Sequence, residues 1–396
     1  MAISEIFKYI KVTNIIAQCC LITSISVTVA ISVLLHKRNR KKQNENITLT
    51  PLIVITGCDT GLGYSIVMRY LNGSHSPNQN YSKLFNGLFN HNKLKIPSKI
   101  AIVAFCLNLN STGAKYLFQK SINNTNIELF IRQLDLTDKN SIKNGVTFII
   151  ELLENNLDEN GKHNKYELHA LVNNAARMVM AEYEWQTIQM IQQQFEVNVL
   201  GPIMLTAQLL PSFRKNKGRV INIVSHCAHF PLPGISVYGA SKAAMYAFTT
   251  ASRIELENHG VNMISFFPGS FYLHSAIMCG EQRAIDYIQM HKYMSKEQLA
   301  YYGLYFDAYQ NYLSSIDAFI NPPETTIPRT NKIYCYMDNA LWAVHPKAEY
   351  NVPEPWRYRI YSALACTLST LGLHNFKDKV VRRFVATPKF ENCIET

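Results

Sequence analysis

The sequence predicts an α/β protein: a doubly wound parallel sheet with helices on both faces, an N-terminal transmembrane helix before it and a helical C-terminal extension after it. Three observations carry this expectation. Six apolar runs of strand length alternate with amphipathic stretches of helical length. A glycine-rich turn joins the first run to the first helical stretch. Ahead of both lies a span of 25 residues, Val12 to His36, without Lys, Arg, Asp or Glu.

That span comes first in the chain. At 1.5 Å per residue it reaches roughly 37 Å as a helix, enough to cross a hydrocarbon core of about 30 Å. It exceeds the apolar region of a cleaved signal peptide and runs directly into HKRNRKK. The sequence therefore divides into a tail (1–11), an anchor (12–36) and a basic, polar linker (37–50). Lys8 and Lys11 precede the span, whereas Lys37, Arg38, Arg40, Lys41 and Lys42 follow it, which places the main domain on the cytoplasmic side. Five Asn-x-Ser/Thr sequons do not oppose this, because a chain with 35 Asn yields about four by chance. Nine cysteines, odd in number and without a CxxC pair, agree with a reducing compartment. The endoplasmic reticulum membrane is the expected location, ahead of a mitochondrial membrane.

Charge follows the same division. Of a net +11, the first 42 residues contribute 7 − 1 = +6, leaving +5 spread thinly over the other 354. Without a dense basic patch, nucleic acid is not an expected partner.

The strand-like runs are PLIVITG (51–57), IAIVAFC (100–106), ELFIRQLDL (128–136), LHALVNNAA (168–176), GRVINIVS (218–225) and VNMISFFPG (261–269). Runs this apolar are buried on both faces, as in a parallel sheet. Helices are expected over Gly61–Leu71, Ser141–Asn155, Met190–Phe213 and Tyr238–Asn258. Residues 72–98, rich in Asn, Ser and His, read as an insertion in a domain spanning 51–275. After about 275 strand-like runs stop, and 276–396 read as an aromatic helical lid and extension.

Thr56-Gly57-Cys58-Asp59-Thr60-Gly61-Leu62-Gly63 follows the first run and opens a helix, so a pyrophosphate can approach the backbone at a helix N-terminus. Its G-x-x-x-G-x-G spacing resembles the loop of the short-chain dehydrogenase/reductase family. Further matches occur in order: Tyr238-Gly239-Ala240-Ser241-Lys242, Ser225 thirteen residues before the Tyr, and Asn198 in VNVLG. Asn173-Asn174-Ala175-Ala176 resembles the family's NNAG, with Ala176 in place of Gly. Asp135-Leu136 resembles its adenine-side segment, and Pro268-Gly269 its motif after strand six. A second Tyr-x-x-x-Lys pair, Tyr116 and Lys120, has none of this context and reads as a solvated helix face. The resemblance implies a Rossmann-like fold and catalytic Asn198, Ser225, Tyr238 and Lys242. It implies cofactor contacts at Thr56, Gly57, Asp59, Thr60, Gly61, Leu62, Gly63, Asp135, Leu136, Asn174, Ala175, Tyr238, Lys242, Pro268 and Gly269. Within the family, TGCDTGLG resembles the retinol, 17β-hydroxysteroid and D-β-hydroxybutyrate dehydrogenase branch.

Hydride exchange between an alcohol carbon and nicotinamide needs a partner for the hydroxyl proton. A free Tyr titrates near 10, and Lys242, one helical turn on, is expected together with the charge of oxidised nicotinamide to lower that value for Tyr238. Ser225 would hold the substrate oxygen beside the phenol, while the resemblance has Lys242 bind the nicotinamide ribose and Asn198 position a relay water. After the second strand, Phe105-Cys106-Leu107-Asn108 offers neither an acid for an NAD ribose nor a base for an NADP phosphate. NAD is expected, with NADP left open. His226, Cys227 and His229 read as pocket lining rather than a metal site, and no metal is expected. The Tyr/Phe/Met stripe at 287–313 reads as helix packing, placed to act as a lid. Residues 358–373 are too short and polar to span a bilayer, and either rest on it or pack on the domain.

The expected activity is a membrane-anchored oxidoreductase acting on a lipophilic alcohol or carbonyl, retinoid- or steroid-like. The alternatives are a 3-hydroxybutyrate-type hydroxy-acid dehydrogenase, which needs a cation for the carboxylate, and a catalytically idle nucleotide-binding scaffold on the membrane. The expected partners are the lipophilic substrate and the membrane, with a homo-oligomer open.

Overall fold

Side chains alternate between two covered faces, and that explains how the apolar runs become strands. The structure, a computed structural model, describes residues 49–73, 94–122, 124–155, 165–269, 277, 280–317, 332–385 and 387–390. Strand β1 (Thr50–Thr56) sends Ile53 and Ile55 to one face of the sheet and Leu52 and Val54 to the other. In β2 (Ile100–Cys106) all seven residues are buried. β3 (Ile127–Gln133), β4 (Tyr166–Asn173), β5 (Arg219–Ile223) and β6 (Asn262–Phe267) complete the six expected strands. They pair in parallel, for example Val54 with Val103 and with Leu171. β3 lies at an edge and is the most exposed of them, with Glu128, Arg132 and Gln133 open to solvent.

Helices cover both faces. On one side α1 (Gly61–Leu71) and α2 (Thr112–Ser121) pack on Ile53, Ile55, Ile102 and Ala104. On the other, α3 (Lys139–Asn155) packs on Leu52, Val54 and Val103. Each fully buried Leu, Ile or Phe in these layers contributes roughly 1.5–3 kcal/mol. The Tyr116/Lys120 pair sits on α2, with the Lys120 amine 5.5 Å from the exposed Tyr116 ring.

The helix expected over Met190–Phe213 is instead three elements. α4 (Ile188–Phe195) passes into a π-helical turn, Glu196–Leu200, and then α5 (Gly201–Asn216). Pro202 removes a ladder donor at the start of α5, and a Cβ on Gly201 would lie 2.5 Å from the Leu136 carbonyl oxygen. Helix α6 (Ser236–Glu257) follows as expected.

The expectation that strands end by 275 is corrected. After α7 (Gly280–Tyr293) and α8 (Lys296–Asp317), helix α9 (Lys332–Trp342) buries nine of its eleven residues, several of them in the same core face as α1. A seventh strand, β7 (Glu349–Asn351), then pairs in parallel with β6. The sheet order is β3-β2-β1-β4-β5-β6-β7. At three residues, one of them buried, β7 is too short to show a pattern. It is held by Tyr350, whose hydroxyl donates to Asn339 Oδ1 at 2.9 Å. Arg69 of α1 pairs with buried Asp338 of α9, and Arg219 Nη1 donates to the Ala340 and Ala343 carbonyls. Residues 332–351 therefore belong to the core. Two last helices, α10 (Trp356–Thr370) and α11 (His374–Val385), form a hairpin.

The anchor expected at 12–36 and most of the insertion expected at 72–98 lie outside the described residues. Among the described residues, no helix is long and apolar enough to cross a membrane.

Candidate active site

Strand order reverses between β1 and β4, which opens a crevice at their carboxyl ends. The glycine loop and the segment after β4 meet there. Gly57 has φ +69°, and a Cβ on it would lie 2.8 Å from Ala175 Cα. A Cβ on Gly63 would lie 2.4 Å from the Gly57 carbonyl oxygen. Asn174 Nδ2 donates to the Thr56 and Gly57 carbonyls at 2.8 and 3.1 Å. Thr56 Oγ1 in turn accepts from the Asn174 and Ala175 amides. Thr60, the N-cap of α1, makes no side-chain cap bond, so the first amides of α1 face the crevice uncapped. This glycine-lined cradle fits a dinucleotide pyrophosphate.

The position after β2 differs from the sequence reading, which found no acid there. Asp59 supplies one from the glycine loop: its carboxylate accepts from the Leu107 amide at 2.7 Å and the Asn108 amide at 3.0 Å. A Cβ on Gly113 would lie 1.9 Å from the Asp59 carbonyl oxygen, so α2 packs hard against this loop. Neighbours in space but 48 positions apart in sequence, Asp59 and Leu107 give no sequence signal of their contact.

At the other crevice positions, Asp135 Oδ1 accepts from the Thr137 amide and hydroxyl, while Leu136 is a core residue. Pro268 and Gly269 follow β6, where Val352 N donates to the Phe267 carbonyl. Asn173, beside Asn174, is structural: its amide donates to Thr206 and Asn222 inside the core.

The four expected catalytic residues come together at the carboxyl end of β5. Ser225 ends that segment and caps the short turn His226–Ala228, its Oγ accepting from the Cys227 amide at 3.2 Å. Tyr238 is the third residue of α6 and Lys242 lies one turn on; both are buried. Lys242 Nζ donates to the Ile223 carbonyl at 2.9 Å and lies 5.7 Å from the Tyr238 ring centroid. Asn198 sits in the π-turn. Its Oδ1 accepts from Arg177 N, and its Nδ2 donates to the Arg177 carbonyl and to Ser241 Oγ. Ser241 Oγ donates to the Tyr238 carbonyl, which links Asn198 to the turn carrying the phenol. The Ser241 link was available in the YGASK motif; the Arg177 link had no sequence signal.

Without cofactor, burial pushes the Tyr238 phenol up; the neighbouring Cys227 thiol adds to it, and a hydrogen bond with Ser225 opposes it. Lys242 is itself lowered to about 8 by burial. With a single carbonyl partner shown and no paired carboxylate, its ammonium is poorly compensated. In the ligand-free enzyme Tyr238 is therefore a protonated acid at neutral pH.

Around the phenol the wall is apolar: Met178 and Cys227, with Met180, Leu232, Ile235 and Ile277 packed beside them. Arg177, next to Met178, is committed to Asp286 of α7. His226 and His229 pack against Phe267, and His226 Nε2 lies 3.2 Å from Glu354 Oε1. The aromatic stripe of α7 and α8 packs around Trp185, which meets Tyr302, Tyr305, Phe306 and Tyr309 at 5.0–5.8 Å between ring centroids. A cavity of about 540 Å³ between α7 and α8, lined by Arg283, Tyr287 and Asp307 among others, includes none of the four expected catalytic residues.

A dinucleotide cradle with a Ser–Tyr–Lys set at the next strand ends defines a nicotinamide-dependent oxidoreductase. The chain is similar to the short-chain dehydrogenase/reductase family: a family model for short chain dehydrogenases matches residues 98–278. Dehydrogenase/reductase SDR family member 9 of Bos taurus is 26% identical over 316 residues, covering 79% of this chain and 83% of that one. 17-beta-hydroxysteroid dehydrogenase type 2 of Homo sapiens is 24% identical, covering 86% and 77%. Retinol dehydrogenase 7 of Rattus norvegicus is 27% identical, covering 76% and 79%. The chain thus resembles the family's retinol and hydroxysteroid dehydrogenase branch, and it is an NAD(P)-dependent oxidoreductase acting on CH–OH groups.

Proposed function

We propose that this enzyme interconverts a lipophilic secondary or allylic alcohol, retinoid- or steroid-like, with its carbonyl, using NAD at a membrane. The observation that carries this reading is the apolar wall of Met178, Cys227, Leu232 and Ile235 beside the Ser225–Tyr238 pair. A hydroxy acid would need a cation there, and Arg177 is already paired with Asp286. The grouping of Asn198, Ser225, Tyr238 and Lys242 near the carboxyl end of β5 supports an active enzyme over an idle scaffold.

The bound nicotinamide supplies the hydride acceptor or donor. Ser225 donates a hydrogen bond to the substrate oxygen and holds it beside Tyr238. In reduction Tyr238 gives its proton to that oxygen as the hydride reaches the carbon; in oxidation the phenolate takes the hydroxyl proton. Lys242 steadies the phenolate, and Asn198 positions the turn that carries Tyr238 through Ser241. The Gly57–Gly63 loop with Asn174 and Ala175 would hold the pyrophosphate. Asp59, beside the Leu107 and Asn108 amides, favours a ribose hydroxyl over a 2′-phosphate and so NAD over NADP. The anchor at 12–36 would hold the domain on the cytoplasmic face of the endoplasmic reticulum, where such substrates partition.

Membranes carrying the full chain, given NAD or NADP with a panel of retinols, sterols and hydroxy acids, test the reading. Turnover of retinols or sterols with NAD that is lost in Tyr238→Phe supports it. Equal turnover by Tyr238→Phe refutes the mechanism, and turnover of hydroxy acids alone refutes the substrate class.

A further inference from the structure

The α10–α11 hairpin presents an apolar face that the described residues leave uncovered. Tyr361 and Ala365 turn α10 toward the domain, and the Tyr361 and Phe384 rings stack at 4.1 Å to close the hairpin. On the opposite side Trp356, Ile360 and Leu364, spaced four apart, form one stripe. Leu371, Leu373 and Phe376 at the hairpin turn are exposed as well. Trp356 is 69% and Phe376 62% exposed, far from ordinary core burial.

Charge identifies what this face meets. Residues 356–385 hold six basic side chains (Arg357, Arg359, Lys377, Lys379, Arg382, Arg383) against Asp378, a net of 6 − 1 = +5. The remainder beyond residue 42 carries 11 − 6 = +5 in all, so this hairpin accounts for the whole of it. The +5 that reads as thinly spread is in fact concentrated on one helical hairpin. Lys379 lies over the Phe376 ring at 5.6 Å, bringing cation and apolar group to one surface. A Trp-led apolar stripe with Lys and Arg beside it is the pattern of a helix lying in a bilayer interface. Two copies of a +5 surface repel each other, which disfavours self-association through this face.

We infer that the α10–α11 hairpin is an interfacial docking surface for anionic phospholipid, separate from the segment at 12–36. It extends the membrane reading above without depending on that anchor. Its base adjoins the catalytic end of β5: the Tyr358 ring lies 6.3 Å from that of His226, the residue after Ser225. Docking sets the neighbourhood of the catalytic serine against the lipid from which an apolar substrate arrives.

The test uses intrinsic tryptophan fluorescence. Trp185 and Trp342 are buried, whereas Trp356 is exposed. Full-length protein is mixed with vesicles of brominated phosphatidylcholine and phosphatidylserine. Docking predicts quenching that Trp356→Phe abolishes and that weakens without phosphatidylserine or in high salt. Neutralising Lys379, Arg382 and Arg383 to Gln should lower the docked-to-undocked ratio on the order of 100-fold, at about 1 kcal/mol per charge. Unquenched Trp356 on protein-bearing vesicles overturns the proposal, whether or not the enzyme turns over retinols. So does quenching that survives Trp356→Phe. A lipid-free blue shift of Trp356 that grows with protein concentration, together with a doubled mass, assigns the face to a second copy and also overturns it.

Discussion

Lys242→Arg isolates the residue on which the proposed proton chemistry turns. Burial lowers the Lys242 ammonium from 10.5 to about 8, a cost on the order of 3 kcal/mol at about 1.4 kcal/mol per unit. The ammonium holds its charge below that value and loses it above. Because the folded value lies below the unfolded one, the unfolded chain keeps a proton that the folded chain has released, so this group makes stability rise with pH between about 8 and about 10.5. Catalysis moves the other way. In carbonyl reduction Tyr238 becomes a phenolate, and the Lys242 charge stabilises it. The phenol itself, pushed up by burial, stays protonated across this range. The kcat/KM for the reduced cofactor, which reports groups in the free enzyme, should therefore fall on an alkaline limb centred near 8, about tenfold between pH 7 and pH 9. A guanidinium keeps its charge throughout, so Lys242→Arg, even with a lowered plateau, should lose that limb. A limb at the same pH in both enzymes would refute the assignment of the titrating group to Lys242.

Other positions yield predictions of the same kind. Gly63→Ala drives a Cβ to 2.4 Å from the Gly57 carbonyl oxygen, so calorimetry should show cofactor affinity reduced at least tenfold and stability lowered by about 1–3 kcal/mol. Asp59→Ser combined with Asn108→Arg should raise the NADP-to-NAD ratio of kcat/KM by at least tenfold; an unchanged ratio would show that the ribose end is misplaced. Arg177→Ala strands Asp286, which is only 3% exposed, and should cost about 3–5 kcal/mol in urea unfolding. Adding Asp286→Leu to that variant should restore part of the loss, and further destabilisation would deny the pairing.

Local pattern and long-range contact divide what the sequence could reveal. Six strands and α1 were legible because a residue buried on both faces must be apolar, and Gly61–Leu71 coincides with the helix read from sequence. The grouping of the expected catalytic residues was legible because Tyr238 and Lys242 share one turn of helix and Ser225 stands near a strand end. β7 was not, since Glu-Tyr-Asn has no pattern of its own and becomes a strand by pairing with Ser265, Phe266 and Phe267 of β6, steadied by the hydroxyl of Tyr350. The π-turn at Asn198 leads into Gly201, which packs closely against Leu136, 65 positions away and invisible to a local pattern. The place of Asp59 beside the end of β2 was hidden for the same reason: its carboxylate reaches the Leu107 and Asn108 amides from the loop after β1. The upward push on Tyr238 in the cofactor-free chain was unreadable because a sequence shows the neighbouring Lys242 but not the depth of burial.

Net charge shows how such a division can mislead even at the level of composition. Removing the first 42 residues (+6) and residues 356–385 (+5) from the total of +11 leaves a remainder that is neutral, with 26 basic and 26 acidic side chains. A neutral catalytic core has no long-range field with which to draw in a charged substrate. Each of the two basic segments instead adjoins apolar residues, in one case the span Val12–His36 and in the other the Trp356–Ile360–Leu364 stripe. A free cytosolic enzyme for a small hydroxy acid has use for the opposite arrangement, positive charge at the pocket and none required at the chain ends. The distribution therefore fits the proposed reading, in which an apolar substrate reaches the buried Tyr238 phenol from lipid rather than by electrostatic steering.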